Sequence, residues 1–591
     1  LVHPNLRTAC PENDTWNLPI RWSVLSSLRE GHLPLWNPLS AFGIPWLATW
    51  QTESFYPGTL LFSWLGLSAW NFSGLVHLLL FSSGVFLFLR NNGVRSFGAF
   101  FGASIALLNG CAYNHLGSNS SMDTMAWIPW LFLAVKQSLE KRPCARFRFT
   151  LFFALQVFAG YPQIIFYTLI GCLAYALFLK GPRSTLGLVL PLAAGLLLSA
   201  AQWIPSVEYF FLDAVRLPAV HDDPHFYLPL ENLKTFLNFD ALARDGKPDY
   251  VASPTFFYFN FYSGIIPLLL IFFGLFRYRR LKSDSRFFLL GFFAFILWSL
   301  GSFLTPLGFI HIPFPGFLEP AKSWVLINVF ELFSLGLLVE DLFPHPGKWK
   351  WIVLWVCLLN LLYPIWEHPL EANLIPPDEP LASTAREIKG QLGSGRVLVL
   401  PNPEEHQALY TPMPDPEHKP LFKHFIPNSN LFVSLPLATF YGSTQPSWGA
   451  LDAGFYFQYL FPERNGTLMD LLGIDLIYLP QDNLPPPFIK IHTDGKWTLW
   501  KNPASVGSHF FFEGTPQSAD RKSIFMAFAG GRVHPLQNLF IDMPPVSRAP
   551  QAVEPPLGSA AIPVASGQKD GFLVVTQNAM PGWRAWVDGK P

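Results

Sequence analysis

The chain has 591 residues, of which 16% are aromatic and only 14% are charged, and its formal net charge is zero. Soluble domains carry about 25% charged residues, so the composition excludes an ordinary soluble protein. Because there is no basic excess, nucleic acid is excluded as a partner. The five cysteines are scattered without CxxC pairs or metal-ligand spacing, which favours a packing role for them.

The distribution of polar residues divides the chain into three regions. Asp, Glu, Asn and Pro concentrate in residues 1–56 and from about 366 onward, whereas Leu, Phe, Ile, Trp and Ala dominate between them. The polar regions are therefore predicted to lie in water and the apolar region in a lipid bilayer. We predict a first extracytoplasmic loop with interfacial helices at 1–71, a transmembrane helical domain at 72–365 and an extracytoplasmic β-rich domain at 366–591. Leu1 in place of Met indicates a fragment or a processed start, and the end inside the hairpin-like WVDGKP indicates an incomplete C-terminus.

The apolar region predicts a polytopic α-helical membrane protein. A bilayer core of about 30 Å requires about 20 apolar residues per helix, and fewer where a helix is broken or buried by its neighbours. About ten spans are predicted, at 72–89, 97–112, 124–135, 148–159, 164–179, 184–204, 259–276, 286–303, 321–340 and 351–365. The stretch 57–67 is too short to cross and indicates an interfacial or re-entrant segment. One long bent helix over 148–179 is the alternative to two spans there.

The direction of the spans follows from the basic loops, because loops rich in Lys and Arg stay on the cytoplasmic side. Every second connection is basic: Arg90/Arg95, Lys136 to Arg148, Lys180/Arg183, Arg277 to Arg286 and Lys348/Lys350. The alternate connections 113–123 and 304–320 contain no Lys or Arg. Residues 1–56, the loop 205–258 and the C-terminal region are therefore predicted outside the cytoplasm. A single span over 148–179 would invert the later loops, which favours two spans.

The C-terminal region alternates short β-type runs with Pro-rich turns, a pattern typical of a sandwich-type domain. The runs are RVLVLP at 396–401, LIYLP at 476–480, FIKIHTDGKWTLWKNP at 488–503, HFFF at 509–512 and FLVVTQ at 572–577. Asp494-Gly495 between two alternating runs predicts a tight hairpin. The segment 375–382 is predicted to be a stiff Pro-rich linker.

The N-terminal loop supplies the first group of candidate site residues. A carboxylate among aromatic and Pro turns suits a general base, because burial raises its pKa toward working pH. The alternative for Asp14 is a solvated loop in which it caps a helix over 15–29. The candidates in this loop are Glu12, Asp14, His32, Trp36, Asn37, Gln51 and Tyr56, with Glu53 beside them.

A second group lies in the turn AGYPQ at 159–163, where Gly and Pro break the helix and expose backbone groups. Tyr161 and Gln163 can hydrogen-bond a polar ligand there. Such a break at membrane depth is tolerated where it is buried or lines a cavity. An ordinary tight turn is the alternative.

A third group follows the span that ends near Gln202. Glu208 and Arg216 are its candidates, since an Arg at the interface can hold a lipid-linked phosphate by a bidentate contact. The run Asp222-Asp223-Pro224-His225 has the chemistry for Mg²⁺ or Mn²⁺, with a solvated loop as the favoured alternative.

The fourth group is Glu319-Pro320-Ala321-Lys322, at the start of the ninth predicted span. Lys322 either contributes to the site or only extends its ammonium to the interface. His77 and His115 also stand out among apolar residues. His77 either lines a cavity or hydrogen-bonds another helix, and the second interpretation is favoured.

Several segments together resemble the YfhO-like bacterial membrane protein family, whose members look like GT-C-type glycosyltransferases. They are LREGHLPLWNPLSAFGIPWLA (28–48), QTESFYPGTLLF (51–62), His77, AWIPW (126–130), AGYPQ (159–163), QWIPSVE (202–208) and MPGWRAWVDGK (580–590). The segments occur in the family's order along nearly the whole chain.

The resemblance implies transfer of a sugar from a polyprenyl-phosphate carrier to an envelope acceptor (a polymer, glycolipid or protein) at the bacterial cytoplasmic membrane. It implies an acidic base at Asp14, or at Glu12 if the alignment shifts by two residues. It also implies a carrier-phosphate ligand at Arg216, helped by Lys322. Relatives usually show two arginines around the Pro of the ninth span, whereas this chain has Leu318 and Lys322.

We therefore expect a single inverting displacement with no cofactor beyond the carrier, although a divalent cation such as Mg²⁺ or Mn²⁺ would assist the leaving group. A transporter or lipid flippase is one alternative, but no internal duplication is visible. The other alternative is a non-catalytic envelope assembly or anchoring factor, but about ten spans are more than an anchor needs.

Overall fold

The computed structural model places the chain as a mostly helical protein with a separate group of strands near the C-terminus. It describes residues 6–8, 17–40, 43–65, 70–116, 119–212, 227–239, 241, 259–301, 319–343, 347–367, 372–374, 379–399, 467–480, 483–484, 486–495, 497–512, 517–519, 523, 527, 540–541 and 572–575.

Helices dominate the apolar region because a helix satisfies its backbone hydrogen bonds within its own segment, as hydrocarbon requires. The helices are α1 (Leu18–Arg29), α2 (Pro57–Leu65), α3 (Trp70–Asn91), α4 (Ser96–Leu108), α5 (Gly110–His115), α6 (Asn119–Met125), α7 (Ile128–Leu139), α8 (Ala145–Phe158), α9 (Pro162–Leu186), α10 (Val189–Leu198), α11 (Ala200–Leu212), α12 (Ile265–Phe276), α13 (Ser283–Leu300), α14 (Trp324–Leu342), α15 (Trp349–Glu367), α16 (Glu379–Gln391) and α17 (Leu468–Leu471). Short 3₁₀ turns lie at Leu47–Thr49, Leu230–Phe236, Tyr278–Arg280 and Pro320–Ser323.

Several of these helices are long and apolar enough to cross a bilayer, which indicates a membrane protein. Among the described residues three qualify by length and composition: Phe72–Asn91, Pro162–Leu186 and Ser283–Leu300. The pair Val189–Leu198 and Ala200–Tyr209 would make a fourth if it is one broken span. The count of about ten spans stays a prediction.

The predicted break within 148–179 is confirmed. Helix α8 ends at Phe158 and α9 begins at Pro162. Gly160 between them has φ +86°, a conformation that glycine adopts without strain.

The predicted span over 184–204 falls on α10 and the start of α11, between which the backbone bends by 81°, so this segment is either one broken span or a re-entrant loop. The Ser199 hydroxyl at the bend donates to the Gly195 carbonyl at 2.8 Å, a local bond that bends helices. Further back, Gly181 has φ +73° and Pro182 lacks an N–H, so α9 is kinked before Leu186. The short stretch predicted to be interfacial or re-entrant is the nine-residue helix α2.

Helix α14 forms the centre of the helical domain. Its residues from Trp324 to Leu338 are all buried, and it packs against α3, α4, α9, α12 and α13. Phe333 of α14 stacks on Phe88 of α3 with ring centroids 3.9 Å apart. Aromatic rings therefore fill the core where these helices cross, as stacked and edge-to-face pairs do in closely packed interiors.

Three ion pairs join the basic connections to one another. Arg95 Nε lies 3.0 Å from Glu340 Oε1, and Lys136 Nζ lies 2.8 Å from Asp284 Oδ1. A third pair, at 3.3 Å, joins Lys282 to Asp341 at the end of α14. The connections joined by these ion pairs therefore lie at one end of the helices. That this end faces the cytoplasm remains a prediction.

Every strand predicted near the C-terminus has a counterpart in the structure. The strands are β1 (Leu6–Thr8), β2 (Ala372–Leu374), β3 (Arg396–Val399), β4 (Ile474–Leu479), β5 (Ile489–Asp494), β6 (Trp497–Lys501), β7 (His509–Phe512), β8 (Gln517–Ser518), β9 (Phe540–Ile541) and β10 (Phe572–Val575). A four-stranded sheet has the order β3-β4-β6-β5, with β3 and β4 parallel and its other pairs antiparallel. The predicted hairpin at Asp494-Gly495 joins β5 to β6.

A helix packs on the four-stranded sheet. Ile388 of α16 and Leu476 of β4 share one hydrophobic cluster, and the sandwich-type arrangement of the whole region stays a prediction. Helix α16 begins at Glu379, so the predicted linker 375–382 is partly helical. Ala385 and Ile388 are three residues apart and therefore lie on the same face of α16, which packs on the sheet.

The N-terminal loop is attached to the same region. β1 pairs antiparallel with β2, and Leu18 at the start of α1 belongs to the hydrophobic cluster under the sheet. The loop before the helical domain and the region after it therefore form one continuous packing unit.

Close approach of α4 to α14 requires small residues, as is common where membrane helices pack. A Cβ at Gly102 would lie 2.8 Å from Leu89 Cδ1 and 3.2 Å from the Leu332 carbonyl oxygen. We expect Gly102→Leu to lower the free energy of unfolding by about 1–3 kcal/mol, because overpacking forces these helices apart. Thermal unfolding of the detergent-solubilised protein measures this, with Gly390→Leu, where a Cβ meets open space, as the control. Equal stability of the two variants would contradict the packing argument.

Candidate functional site

Ionisable side chains from four separate segments meet in the interior. We call Arg21, Glu53, Tyr56, His77 and Asp123 the charged cluster. They come from α1, the loop before α2, α3 and α6, and all five are buried, with both carboxylate residues 0% exposed. Ionised groups are this deeply buried only when they are paired, so the cluster fixes these segments relative to one another.

The guanidinium of Arg21 binds both carboxylates. It donates to Asp123 Oδ2 at 2.8 Å and also pairs with Glu53 Oε2. Thr59 Oγ1 donates a further hydrogen bond of 3.1 Å to Glu53 Oε2. The other oxygen, Glu53 Oε1, has no hydrogen-bond donor within reach among the described residues.

The imidazole of His77 links Asp123 to an aromatic pair. Its Nδ1 lies 3.0 Å from Asp123 Oδ1 and 2.8 Å from the Ser73 carbonyl oxygen, and its Nε2 lies 2.7 Å from Tyr56 Oη. Trp127 Nε1 donates to Tyr56 Oη at 3.0 Å. The phenol oxygen of Tyr56 already accepts a hydrogen bond from the indole N–H. The network therefore favours an arrangement in which the Tyr56 hydroxyl donates to His77 Nε2 and the imidazole proton is on Nδ1.

The cluster contains two carboxylates and one guanidinium. With His77 neutral, this leaves one excess negative charge in a dry interior, which a proton on one carboxyl group removes; with His77 protonated, the charges already balance. Burial raises the pKa of Glu53 to about 8, although Arg21 opposes the shift. Burial alone would also raise the pKa of Asp123, but the neighbouring His77 and Arg21 lower it below its ordinary value. Glu53 is therefore the carboxyl group that holds the proton at neutral pH.

The loop that carries Glu53 has unusual backbone geometry. Trp50 and Glu53 both have φ of +51°, which costs of order 1–3 kcal/mol per non-glycine residue and persists only when neighbours enforce it. Trp50 Nε1 donates to the Val157 carbonyl at 2.8 Å. A Cβ at Gly160 would lie 2.8 Å from Glu53 Cγ and 3.0 Å from the Trp50 carbonyl oxygen. The turn at 159–163 is thus packed directly against the strained loop.

A second polar group lies on the other side of that turn. We call Gln163, Tyr167, Glu319 and Lys322 the Glu319 cluster. Gln163 Nε2 donates to Glu319 Oε1 at 3.1 Å, and Lys322 Nζ lies 3.9 Å from Glu319 Oε2. Tyr167 Oη donates to the Glu319 carbonyl at 3.0 Å. The structure therefore brings together the predicted residues Gln163 and Lys322, which are distant in sequence.

The two clusters are close to each other. Gly160 touches the charged cluster and Gln163 belongs to the Glu319 cluster, and three residues span at most about 11 Å between Cα atoms. The Lys322 side chain is 23% exposed and its ammonium lies 5.9 Å from the Phe259 ring centroid. The charged cluster is thus closed, whereas the Glu319 cluster is half open to solvent and offers polar groups to a ligand.

The predicted base and phosphate ligand cannot be placed. Glu12, Asp14 and Arg216 lie outside the described residues, as do the metal candidates Asp222, Asp223 and His225. Helix α1 runs from Leu18 to Arg29, and the residues before Asn17 lie outside the described part of the chain, so the interpretation of Asp14 as the cap of a helix over 15–29 stays a prediction. Across the described ranges, three or more His, Cys, Asp or Glu residues are nowhere grouped closely enough for a metal ion.

The remaining predicted residues have varied environments. His32 and Glu208 are exposed and lie outside both clusters, so nothing in their contacts supports a site role. Asn37 is buried, where its Oδ1 accepts from the Leu39 N–H at 3.0 Å, a turn-stabilising contact. Their substrate-binding role stays a prediction, as does that of the half-buried residues Trp36, Gln51 and Tyr161.

Arg21 and Asp123 were not recognised as site residues from the sequence. Each is a lone charge beside apolar residues, Arg21 in LPIRWSVL and Asp123 directly before AWIPW. Charges in such settings are expensive unless paired, which is the signal that would have found them. Their pairing with Glu53 is not visible in sequence spacing, because the three residues are far apart along the chain.

We expect Arg21→Met to lower the free energy of unfolding by about 3–5 kcal/mol, because it leaves two buried carboxylates without their cation. Chemical unfolding in detergent measures the loss. Arg29→Met, on an exposed position of the same helix, is the matched control and should change little. A loss of less than 1 kcal/mol for Arg21→Met would show that the cluster is not held by this ion pair.

The pH dependence of stability tests the protonation of Glu53. A carboxyl group whose pKa rises on folding stabilises the protein below its ordinary pKa of 4.5, and that contribution disappears as pH rises through about 8. We expect wild-type stability to fall between these pH values and Glu53→Gln to show a flatter profile. Melting curves across this pH range check it, with exposed Glu30→Gln as the control. Identical profiles for wild type and Glu53→Gln would contradict the assignment.

No protein-family model and no curated protein matches the chain. Among solved structures, it is similar to the arabinofuranosyltransferase AftD from Mycobacteria, with 14% identity and a TM-score of 0.49 over 86% of this chain and 39% of that chain. A mutant form of AftD gives the same values over 88% of this chain and 42% of that chain. ArnT from Cupriavidus metallidurans in the apo state has 11% identity and a TM-score of 0.37 over 86% and 96% of the two chains. The chain spans about two fifths of the length of AftD, and at these scores the likeness establishes no function for it.

Proposed function

We propose that this chain is a GT-C-type membrane glycosyltransferase that moves a sugar from a polyprenyl-phosphate carrier to an extracytoplasmic acceptor of the bacterial envelope. One observation carries the proposal. Apart from MPGWRAWVDGK (580–590), which lies outside the described residues, the segments on which the YfhO-like resemblance rests are in contact around the charged cluster, although they are scattered along the sequence.

The contacts between these segments are direct. Gln202 of QWIPSVE donates to the Leu47 carbonyl at 2.9 Å, which joins it to the segment 28–48. Trp127 of AWIPW donates to Tyr56 of QTESFYPGTLLF at 3.0 Å. Gly160 of AGYPQ packs on Glu53 of that same segment. Sequence segments that are far apart along the chain but assemble at one place support a shared site.

The location of the cluster supports an extracytoplasmic site. His77 and Arg90 both lie on α3 and are separated by about 20 Å of helix rise, and Arg90 is at the end where the basic connections gather. If that end faces the cytoplasm, the charged cluster lies toward the opposite face. This orientation, about ten spans and a C-terminal domain outside the cytoplasm are all part of the proposal.

The proposed reaction is a single inverting displacement at the sugar's anomeric carbon. The bond from that carbon to the carrier phosphate breaks, and the phosphate leaves with the electron pair. The acceptor oxygen forms the new bond and gives its proton to Asp14, with Glu12 as the alternative base. Arg216 is the proposed phosphate ligand, since a guanidinium binds phosphate oxygens in a bidentate manner. A divalent cation such as Mg²⁺ or Mn²⁺ would add charge at the leaving group.

The structure changes the weight given to Lys322. Its ammonium lies near Glu319, which partly cancels the positive charge that a phosphate would need. Gln163 binds the same carboxylate, so the Glu319 cluster offers donors and acceptors with little net charge. Such a cluster suits sugar hydroxyls better than phosphate oxygens, so Lys322 is the weaker phosphate candidate.

The reaction is tested by supplying radiolabelled polyprenyl-phosphate sugar to membranes that contain the protein and measuring label in envelope material. We expect Asp14→Asn to reduce transfer by at least 100-fold, which is about the contribution of a general base, while insertion is unchanged. Glu12→Gln is the matched control and should retain transfer.

Other outcomes decide between the functions. If Glu12→Gln abolishes transfer and Asp14→Asn does not, the base is Glu12. If wild type and both variants transfer label equally, neither residue is the base. If the wild-type protein moves the labelled lipid between leaflets without transferring sugar, the protein is a transporter or flippase and the proposal is wrong.

A further inference from the structure

A second carboxyl group is buried in the helical domain, away from the charged cluster. Glu331 lies in the middle of α14 and is 0% exposed, and Asn328, one turn earlier, is also buried. No Lys or Arg pairs with Glu331 among the described residues. An ionised carboxylate without a counter-charge costs several kcal/mol in such a place, so its environment must supply a compensating interaction.

The hydrogen bonds of Glu331 are only half complete. Ser263, in the extended segment before α12, donates to Glu331 Oε1. Glu331 Oε2 has no donor within reach in the described part of the chain. One carboxyl oxygen is therefore left inside the protein with nothing to bind.

The side-chain oxygen of Asn328 is a second buried acceptor that lacks a hydrogen-bond donor. Asn109 Oδ1 accepts from the Ala112 N–H at 2.9 Å, which fixes how the Asn109 amide is turned. Asn328 Nδ2 donates to that same oxygen at 3.3 Å, which fixes the Asn328 amide in turn. Asn328 Oδ1 then has no donor among the residues described, and it is buried.

These two oxygens belong to neighbouring positions on one helix. Side chains three residues apart have Cβ atoms about 5–6 Å apart. Long side chains on a helix lean toward its N-terminus, so the Glu331 carboxyl group extends toward Asn328. Two buried acceptors on such neighbouring positions, each without a donor among the described residues, would both be satisfied by one positive species held between them.

Two interruptions of helical backbone meet at the same place. Asn109, between α4 and α5, has an extended ψ of 161°, and Gly264, before α12, has φ +98°. The Gly110 N–H donates to the Tyr262 carbonyl at 2.7 Å, which joins the two interruptions. Non-helical backbone at membrane depth is tolerated where it is buried or lines a site, and carbonyls at such breaks coordinate small cations in membrane proteins.

We propose that Glu331 and Asn328 form a buried site for one small positive species, either a proton carried by the carboxyl group or a monovalent cation such as Na⁺. In the proton form, the carboxylic acid donates from Oε2 to Asn328 Oδ1. In the cation form, both oxygens are ligands and the interrupted backbone supplies more. His115 of α5 stacks on Trp324, the first residue of α14, with ring centroids 4.1 Å apart. This site does not depend on the proposed glycosyl transfer.

Infrared spectroscopy of the purified full chain in detergent tests the site, because protonated and ionised carboxyl groups absorb at different frequencies. Spectra are compared in sodium chloride and in choline chloride at neutral pH. A proton site gives a protonated-carboxyl band in both buffers, and a sodium site gives that band only in choline, where the melting temperature also falls. Because Glu53 also holds a proton at neutral pH, all spectra are recorded in the Glu53→Gln background, where adding Glu331→Gln should remove the remaining band in either case.

Glu340→Gln is the matched control, since Glu340 lies on the same helix and pairs with Arg95 near its end. It should keep the band. Asn328→Ala is a second variant, which should shift the band or remove the sodium effect while Glu331 remains in place. The proposal is overturned if wild-type Glu331 is ionised in both buffers and melting does not depend on sodium, or if Asn328→Ala leaves every spectrum unchanged.

Discussion

The pairing of Arg21 with both Glu53 and Asp123 is the interaction on which the arrangement of the site depends. It holds the N-terminal helix, the loop before α2 and the short helix α6 together at one point, and His77 extends the network into α3. Because the interior is dry, none of these charges is stable alone, so the segments must be assembled together. The positive φ values at Trp50 and Glu53 are then a consequence, since the loop accepts strained backbone in order to bring its carboxylate to the guanidinium.

The parts of the fold that depend on local pattern could be predicted from the sequence. Alternating β-type runs placed β3 to β7 and β10, and Asp494-Gly495 placed a hairpin, because each signal lies within a few residues. The bend at Ser199 could not be predicted, because average hydropathy does not register one hydroxyl that bonds the preceding turn. The charged cluster could not be predicted either, since its carboxylates and guanidinium come from remote segments. Glu331 is a lone charge in an apolar run, so the rule that intramembrane charges mark functional sites would have identified it, although the sequence analysis did not name it.

The turn at 159–163 connects a closed site to an open one. On one side Gly160 allows the strained loop to approach, and on the other side Gln163 reaches Glu319. A ligand bound at the partly exposed Glu319 cluster would therefore contact a turn whose other side packs on the charged cluster. The charged cluster would keep this turn rigid without touching the ligand, as is expected where a reaction needs fixed geometry.

The strand pair β1–β2 has a consequence for how the protein is made. Thr8 of β1 pairs with Ala372 of β2, so β1 remains unpaired while the ribosome synthesises the helical domain that lies between them. At about 5–20 residues per second this takes roughly 20 to 70 s. During that interval Leu18 also lacks the sheet that buries it. Until translation reaches the C-terminal region, β1 and Leu18 therefore expose an unpaired strand edge and apolar surface, which other chains could bind.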